Sequence, residues 1–197
     1  SLEEAASRAK IDALSLRYLE AGVGDPTFSQ VERLAKAYGR PPIAFFLPEP
    51  PADDDVMPDF RLLPENRSRP WSPELHEAFR RVRSQHDSAL EIAESAGERA
   101  PEIGVMVGLE NSPEQTGEDI RRWLAPPSPD VLAGQPPGRI LAAWSSAVER
   151  HPILVTQVEG IPVDEMRGFS LAHRPFPVIA INSRDSLNGR LFTLVHE

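Results

Sequence analysis

The chain has 197 residues, which fits one large domain or two small ones. It has no cysteine, which excludes disulfides, cysteine nucleophiles and cysteine-ligated zinc, so a metal site must use His, Asp or Glu. The net charge of -9 argues against broad contact with nucleic acid phosphates, and no apolar run approaches the length of a membrane span. We expect a cytoplasmic protein without a membrane partner, because a chain without cysteine fits a reducing compartment.

The first 50 residues predict a small all-α unit, in which short helices are joined by tight turns. Residues 2–9 place their apolar side chains at helical spacing. Asp12 can cap a second helix, and Thr27 or Ser29 can cap a third. We assign residues 1–50 to this unit.

Proline clusters mark the segments that we expect to lie outside helices and strands. The chain has 21 prolines, and they concentrate at 41–58, 64–73 and 126–137. We interpret these clusters as linkers or surface loops. A linker is therefore predicted at 51–71, followed by a second domain at 72–197.

The sequence pattern of the second domain predicts helices first and strands afterwards. Ser72-Pro73-Glu74 is a typical helix start, with a capping residue, a proline at the first helical position and an acid in the first turn. The apolar stripe of this helix includes His86, which we expect to be a core histidine with a hydrogen-bond partner. The other predicted elements are helices after Ser112 and at 138–150, strands at 153–158, 166–171 and 178–181, and a last helix capped by Ser186. This order predicts an α+β fold in which a helical connector leads to a small sheet packed on the last helix.

The last helix places a histidine opposite its apolar face. At about 100° per residue, Leu187, Leu191 and Leu194 form one stripe, and His196 lies about 180° from Leu187. Glu197 then points sideways. A helix that packs through its leucines would present His196 to a cleft on its other side.

His196 and Glu197 are the first two residues of an HExxH pattern. In this pattern two histidines four residues apart bind one zinc ion from the same helix face, and the glutamate acts as the general base. A third protein ligand leaves one zinc position open for water or substrate. A lone His-Glu pair occurs often by chance, so the pattern gains weight only from the rest of the chain.

Residues 167–197 resemble the ImmA/IrrE family of metallopeptidases. In that family a β-hairpin ending in an I-x-I/V-N strand leads directly into the HExxH helix, and here Ile179-Ala180-Ile181-Asn182 precedes Phe192-Thr193-Leu194-Val195-His196-Glu197. Residues 1–47 resemble a helix-turn-helix unit of the Xre (Cro/repressor-like) type, and the segments at 41–48 and 59–61 resemble the join between the two parts in family members.

The resemblance implies a zinc-dependent endopeptidase whose substrate is another protein, often an Xre-type repressor or antitoxin in a stress or mobile-element circuit. It implies that His196 is a zinc ligand and that Glu197 polarises the attacking water. Zn²⁺ is the expected cofactor of the full-length protein. The family pattern is incomplete at both ends, because the first Xre helix and the second zinc histidine are missing. We therefore expect residues 1–197 alone to be inactive, and whether the protein forms a homodimer stays open.

The strand before the last helix is a candidate for substrate binding. In zinc peptidases of this type, a strand beside the active-site helix pairs with extended substrate through main-chain hydrogen bonds. The residues concerned are Val178, Ile179, Ala180, Ile181 and Asn182. A plain core strand is the alternative, and both roles are compatible because alternate residues face opposite sides.

DNA binding is the second hypothesis for function. The helix around Asp12 to Ala21 would be the recognition helix, and Arg17 is its one basic residue. This is not the basic footprint that phosphate contact needs. A packing or protein-recognition module is therefore favoured, and the alternative for the whole protein is a non-catalytic transcriptional regulator with a degenerate peptidase-like domain.

Overall fold

The computed structural model describes residues 1–49, 71–97, 103–104, 108, 111–172 and 175–197. They have the α+β fold that the sequence predicts. They divide into two compact units, one made of residues 1–49 with 71–77, and the other of the described residues from 78 to 197. The predicted linker lies outside the described residues except for Trp71, and so does the segment at 59–61.

The first unit is a small helical bundle, and an apolar cluster joins its helices. Its helices are α1 (Leu2–Ala9), α2 (Ala13–Glu20) and α3 (Phe28–Tyr38), followed by a short 3-10 helix (Pro42–Phe46). Asp12 caps α2 by accepting a hydrogen bond from the Ser15 amide, with 3.0 Å between Oδ2 and N. The residues that form the buried cluster are Ala6, Ala9, Ile11, Leu16, Leu34 and Ala37.

Thr27, and not Ser29, is the cap of α3. Its hydroxyl accepts from the Gln30 amide, and the Gln30 side chain accepts from the Thr27 amide in return. This reciprocal pair satisfies two backbone donors that the first turn of a helix leaves open. Gly39 ends the helix in the left-handed conformation, at a φ of 59°.

The second unit holds the sheet and most of the longest helix in the described ranges. Helix α4 (Pro73–Ser95) begins at the predicted Ser-Pro-Glu start, with its residues from 78 onward in this unit. The remaining helices are α5 (Pro113–Leu124), α6 (Pro129–Leu132), α7 (Pro137–Glu149) and α8 (Leu187–His196). The prediction of a loop throughout 126–137 is wrong, because Ser128-Pro129-Asp130 repeats the helix-start pattern and gives the single turn of α6.

The sheet has three strands among the described residues, β1 (Leu154–Val158), β2 (Gly168–Leu171) and β3 (Val178–Asn182), in the order β1-β3-β2. β1 runs parallel to β3, and β2 runs antiparallel to it. All five residues of β3 are buried. Helices α7 and α8 pack on one face of the sheet, where Leu141, Ile181 and Leu194 share an apolar cluster.

Helix α8 lies against β2 at a point where only glycine fits. A Cβ atom on Gly168 would lie 2.3 Å from Cγ2 of Thr193 and 2.7 Å from the carbonyl oxygen of Ala180. Thr193 is fully buried. The missing side chain at Gly168 therefore sets how closely the helix approaches the strand.

No helix in the described ranges is both long enough and apolar enough to cross a bilayer.

We expect Gly168→Ala to lower the free energy of unfolding by about 1–3 kcal/mol, because the new methyl group forces α8 away from β2. Gly117→Ala is the matched control, since a Cβ on Gly117, within α5, meets no atom within 4 Å. That variant should be unchanged or stabilised by up to about 1 kcal/mol. Urea unfolding measures both, and equal stability of the two variants would contradict the close approach.

In the first unit, we expect the Tyr38 hydroxyl to lose its proton at a higher pH than an ordinary tyrosine does. Burial and a hydrogen bond from its hydroxyl to the Glu20 carboxylate raise the pKa of Tyr38 to about 12. Because this folded value lies above the ordinary value near 10, the neutral phenol stabilises the fold fully below about pH 10. That contribution is lost as the pH rises toward the folded pKa.

The measurement is tyrosinate absorbance against pH in a Tyr18→Phe background, which leaves one tyrosine. Glu20→Gln should lower the Tyr38 midpoint, and Glu32→Gln, which removes an exposed carboxylate from α3, should not. A midpoint that is the same in both variants would show that Glu20 has no part in the shift.

Candidate functional site at the end of helix α8

The turn that leads into α8 is fixed by Asn182, the last residue of β3. Its side chain is fully buried. The Asn182 amide nitrogen donates to the carbonyl oxygens of Ile161 and Met166, at 3.0 and 2.7 Å, and its amide oxygen accepts from the Arg184 backbone at 2.9 Å. One side chain therefore ties β3 to the loop between β1 and β2.

The first turn of α8 is held by its cap and by an ion pair. The Ser186 hydroxyl accepts from the Gly189 amide at 3.0 Å. Asp185 accepts from Arg167 at 3.0 Å, and its carboxylate oxygens lie 2.4 and 2.5 Å from the point where a Cβ on Gly189 would be. The direction of α8 is thus determined before its last turn is reached.

The two faces of α8 differ as the helical spacing predicts. Leu194 is buried and Leu191 is half-buried, whereas Leu187 is 37% exposed at the start of the helix. His196 lies on the exposed face, and its ring stacks on that of Phe192, with the centroids 5.9 Å apart. Glu197 is half-buried.

Glu197 faces the sheet and contacts β2. The Ser170 hydroxyl donates to Oε2 of Glu197 at 3.0 Å. Ser170 lies two residues after Gly168 and so on the same face of β2, while Glu197 lies one helical turn after Thr193. Two successive contacts, one at Gly168 and one at Ser170, therefore align α8 with β2.

Ser170 is the residue that sequence reasoning missed. The HExxH pattern indicates which helix residues carry chemistry, but it does not indicate which strand residue meets the glutamate. A signal was present in the spacing, since a glycine and a serine two positions apart form the small-residue face of the strand.

The side chains at the end of α8 are of types that bind zinc, but there are too few of them to hold the ion. An imidazole nitrogen and a carboxylate are both groups that zinc accepts. Within the described ranges, however, no three His, Cys, Asp or Glu side chains lie close enough together to hold a metal ion. His196 and Glu197 alone therefore offer two groups of the kinds that zinc accepts.

The assignment of Val178, Ile179, Ala180, Ile181 and Asn182 to substrate pairing needs correction. β3 is the central strand, paired with β1 on one edge and with β2 on the other. An extended peptide can add only to an open sheet edge, and β3 offers none. Its continuous burial is typical of a core strand.

The other predicted residues belong to different helices, His86 to α4 and Arg17 to α2. His86 is buried, with Nε2 3.1 Å from the carbonyl oxygen of Pro175 and Nδ1 3.2 Å from Asp87, which confirms the core interpretation. Arg17 is exposed on α2, beside the exposed side chains of Leu14 and Tyr18.

Comparison of the chain with protein-family models, with curated proteins and with solved structures finds no match. The ImmA/IrrE resemblance therefore stays a prediction.

We expect Asn182→Leu to lower the free energy of unfolding by about 2–4 kcal/mol, because it leaves the carbonyl groups of Ile161 and Met166 buried without their donor. Asn188→Leu is the control, since Asn188 lies on the exposed part of α8. Thermal or urea unfolding of both variants checks the prediction. An Asn182→Leu protein as stable as the control would contradict the structural role.

Proposed function

We propose that this chain is part of a zinc-dependent endopeptidase of the ImmA/IrrE type. Its substrate would be a regulatory protein such as an Xre-type repressor or an antitoxin. The observation that carries the proposal is the position of His196 and Glu197 at the end of α8, the helix that follows strand β3, with Glu197 in contact with β2. The cytoplasmic location expected from the sequence belongs to the same proposal.

His196 supplies one metal ligand in this proposal. It lies on the exposed face of α8, where its imidazole can bind a metal ion together with side chains from other parts of the protein. A residue four positions further along the same helix would lie about 40° from His196, on the side of Glu197. A histidine there would complete the helix-borne pair that the HExxH pattern needs.

Glu197 is the proposed general base. Zinc, when bound, would make a water molecule acidic enough to lose a proton near neutral pH. Glu197 would accept that proton as the water attacks the peptide carbonyl, and would then donate it to the leaving amine nitrogen. The hydrogen bond from Ser170 fixes one oxygen of the carboxylate, which gives the base a defined orientation before substrate arrives.

The substrate would pair with β2 instead of β3. Among the described strands β2 lies at an edge of the sheet, and its Ser170 contacts the Glu197 carboxylate directly. An extended peptide that adds to this edge would pass close to the end of α8. Strand β3 would then support the site from the core.

The regulator hypothesis has weaker support in the first unit. The exposed face of α2 carries Leu14 and Tyr18 next to Arg17, so it presents more apolar than basic surface. Such a face fits contact with protein better than contact with phosphates. Recognition of an Xre-type protein partner by this unit is compatible with the peptidase proposal.

The test uses the full-length protein. We expect about one zinc ion per chain in the unaltered protein and in Glu197→Gln, and its loss in His196→Ala. Cleavage of a purified Xre-type repressor should fall about 10²- to 10⁴-fold in Glu197→Gln. Glu159→Gln is the control, because Glu159 is exposed and lies after β1.

Metal analysis and gel-based cleavage assays give the two readouts. A gene-encoded protein that binds no zinc and instead binds its operator with strong salt dependence would refute the peptidase and favour the regulator.

A further inference from the structure

Strand β1 has an open edge that faces away from β3. The Leu154 amide donates to the carbonyl oxygen of Pro177, and the Val158 carbonyl accepts from the Ser183 amide, so residues 154, 156 and 158 point their backbone groups at β3. Successive residues of a strand direct their backbone amide and carbonyl groups toward opposite edges. The amide and carbonyl groups of Val155 and Gln157 therefore point away from β3. No strand in the described part of the chain pairs with them.

This edge lacks the usual protection against pairing. Natural edge strands carry lysine, proline, a bulge or an inward-facing charge, each of which discourages another strand from adding. The five residues of β1 are Leu-Val-Thr-Gln-Val, with no charge and no proline. The strand also lies on the opposite side of β3 from β2 and the proposed catalytic residues.

Two adjoining cavities flank the open edge, one on each face of the sheet. The cavity on the side of α7 and α8 has a volume of about 450 Å³, and its lining includes Val155 and Gln157. The cavity on the side of α4 has a volume of about 580 Å³, and its lining includes Leu154 and Thr156, with Val155 bordering both cavities. An added strand would place alternate side chains in the two cavities, because strand side chains alternate between faces.

The first cavity holds a cation whose hydrogen bonding is incomplete. Nη2 of Arg190 donates to Oε1 of Gln157 at 2.6 Å, but the Nε atom is buried and has no hydrogen-bond partner. Among the described residues, no carboxylate lies within ion-pair distance of Arg190, although Glu149 lines the same cavity. A buried guanidinium donor without an acceptor is costly unless a ligand supplies one.

We propose that the outer edge of β1 binds an extended segment of a partner protein as an added strand, with an aspartate or glutamate of that segment directed at Arg190. The backbone of Val155 and Gln157 supplies the affinity, and Arg190 supplies the selectivity for an acid. A second copy of this chain fits less well, because its own β1 carries no carboxylate to offer Arg190.

The probe is a soluble fluorescein-labelled peptide of alternating threonine and valine with one central aspartate, and its binding is followed by fluorescence anisotropy. Its twin has asparagine in place of aspartate. We expect the twin to bind about tenfold more weakly or worse, since a hydrogen bond to a charged group contributes more than one to a neutral group. Equal binding of the twins, or no binding of either, would overturn the proposal.

Backbone pairing is tested on the peptide, so that protein folding is not disturbed. Two further peptides carry methyl groups on backbone nitrogens. In one peptide the methylated residues are the aspartate and the residues two positions before and after it. In the other they are the residues directly before and after the aspartate. Only one set should lose binding. Loss with the aspartate set indicates an antiparallel added strand, and loss with the other set indicates a parallel one. If both sets bind, or if neither does, the added-strand geometry is wrong.

Arg190→Met tests the cation, and Arg184→Met, which removes an exposed arginine before α8, is its control. In Arg190→Met the aspartate and asparagine peptides should bind equally, whereas Arg184→Met should retain the tenfold difference. If Arg190→Met does not fold, as judged by circular dichroism, the peptide series decides the question with the unaltered protein. A dimer seen in sedimentation equilibrium that excludes the peptides would also overturn the proposal.

Discussion

The close packing of α8 on β2 is the constraint on which the second unit depends. Thr193 occupies the space that a side chain on Gly168 would need, and the contact between Ser170 and Glu197 lies one turn further along the helix. A helix and a strand have different repeats, so two successive contacts are enough to fix both their distance and their register. The orientation of Glu197 follows from that register.

Local signals in the sequence predict the helix starts well. The caps at Asp12, Thr27 and Ser186 all form as side-chain hydrogen bonds to the backbone of the first turn. Such signals depend on residues three positions apart, so they can be read without knowing the tertiary structure. The single turn at Pro129 escaped prediction only because the prolines around it suggested a loop.

Strand order could not be predicted in the same way. The spacing identifies β1, β2 and β3, but pairing brings together residues that are distant in the chain, such as Leu154 and Val178. In the sequence, the apolar run of β3 is compatible with an edge strand whose alternate residues face opposite sides, so that it packs on one side and binds on the other. In the structure β3 is the central strand, because each of its edges is hydrogen-bonded to another strand. For the candidate site, helical spacing predicted the exposure of His196, while the partner of Glu197 needed the tertiary register.

The strand order also carries a consequence for folding. β2 and β3 form a hairpin whose paired residues are close in sequence, whereas the pairing of β1 with β3 must close a loop that contains the whole of β2. Since closing a longer loop costs more entropy, we expect the hairpin to form first and β1 to dock on it late. Amide hydrogen exchange would then find β1 opening before the hairpin does.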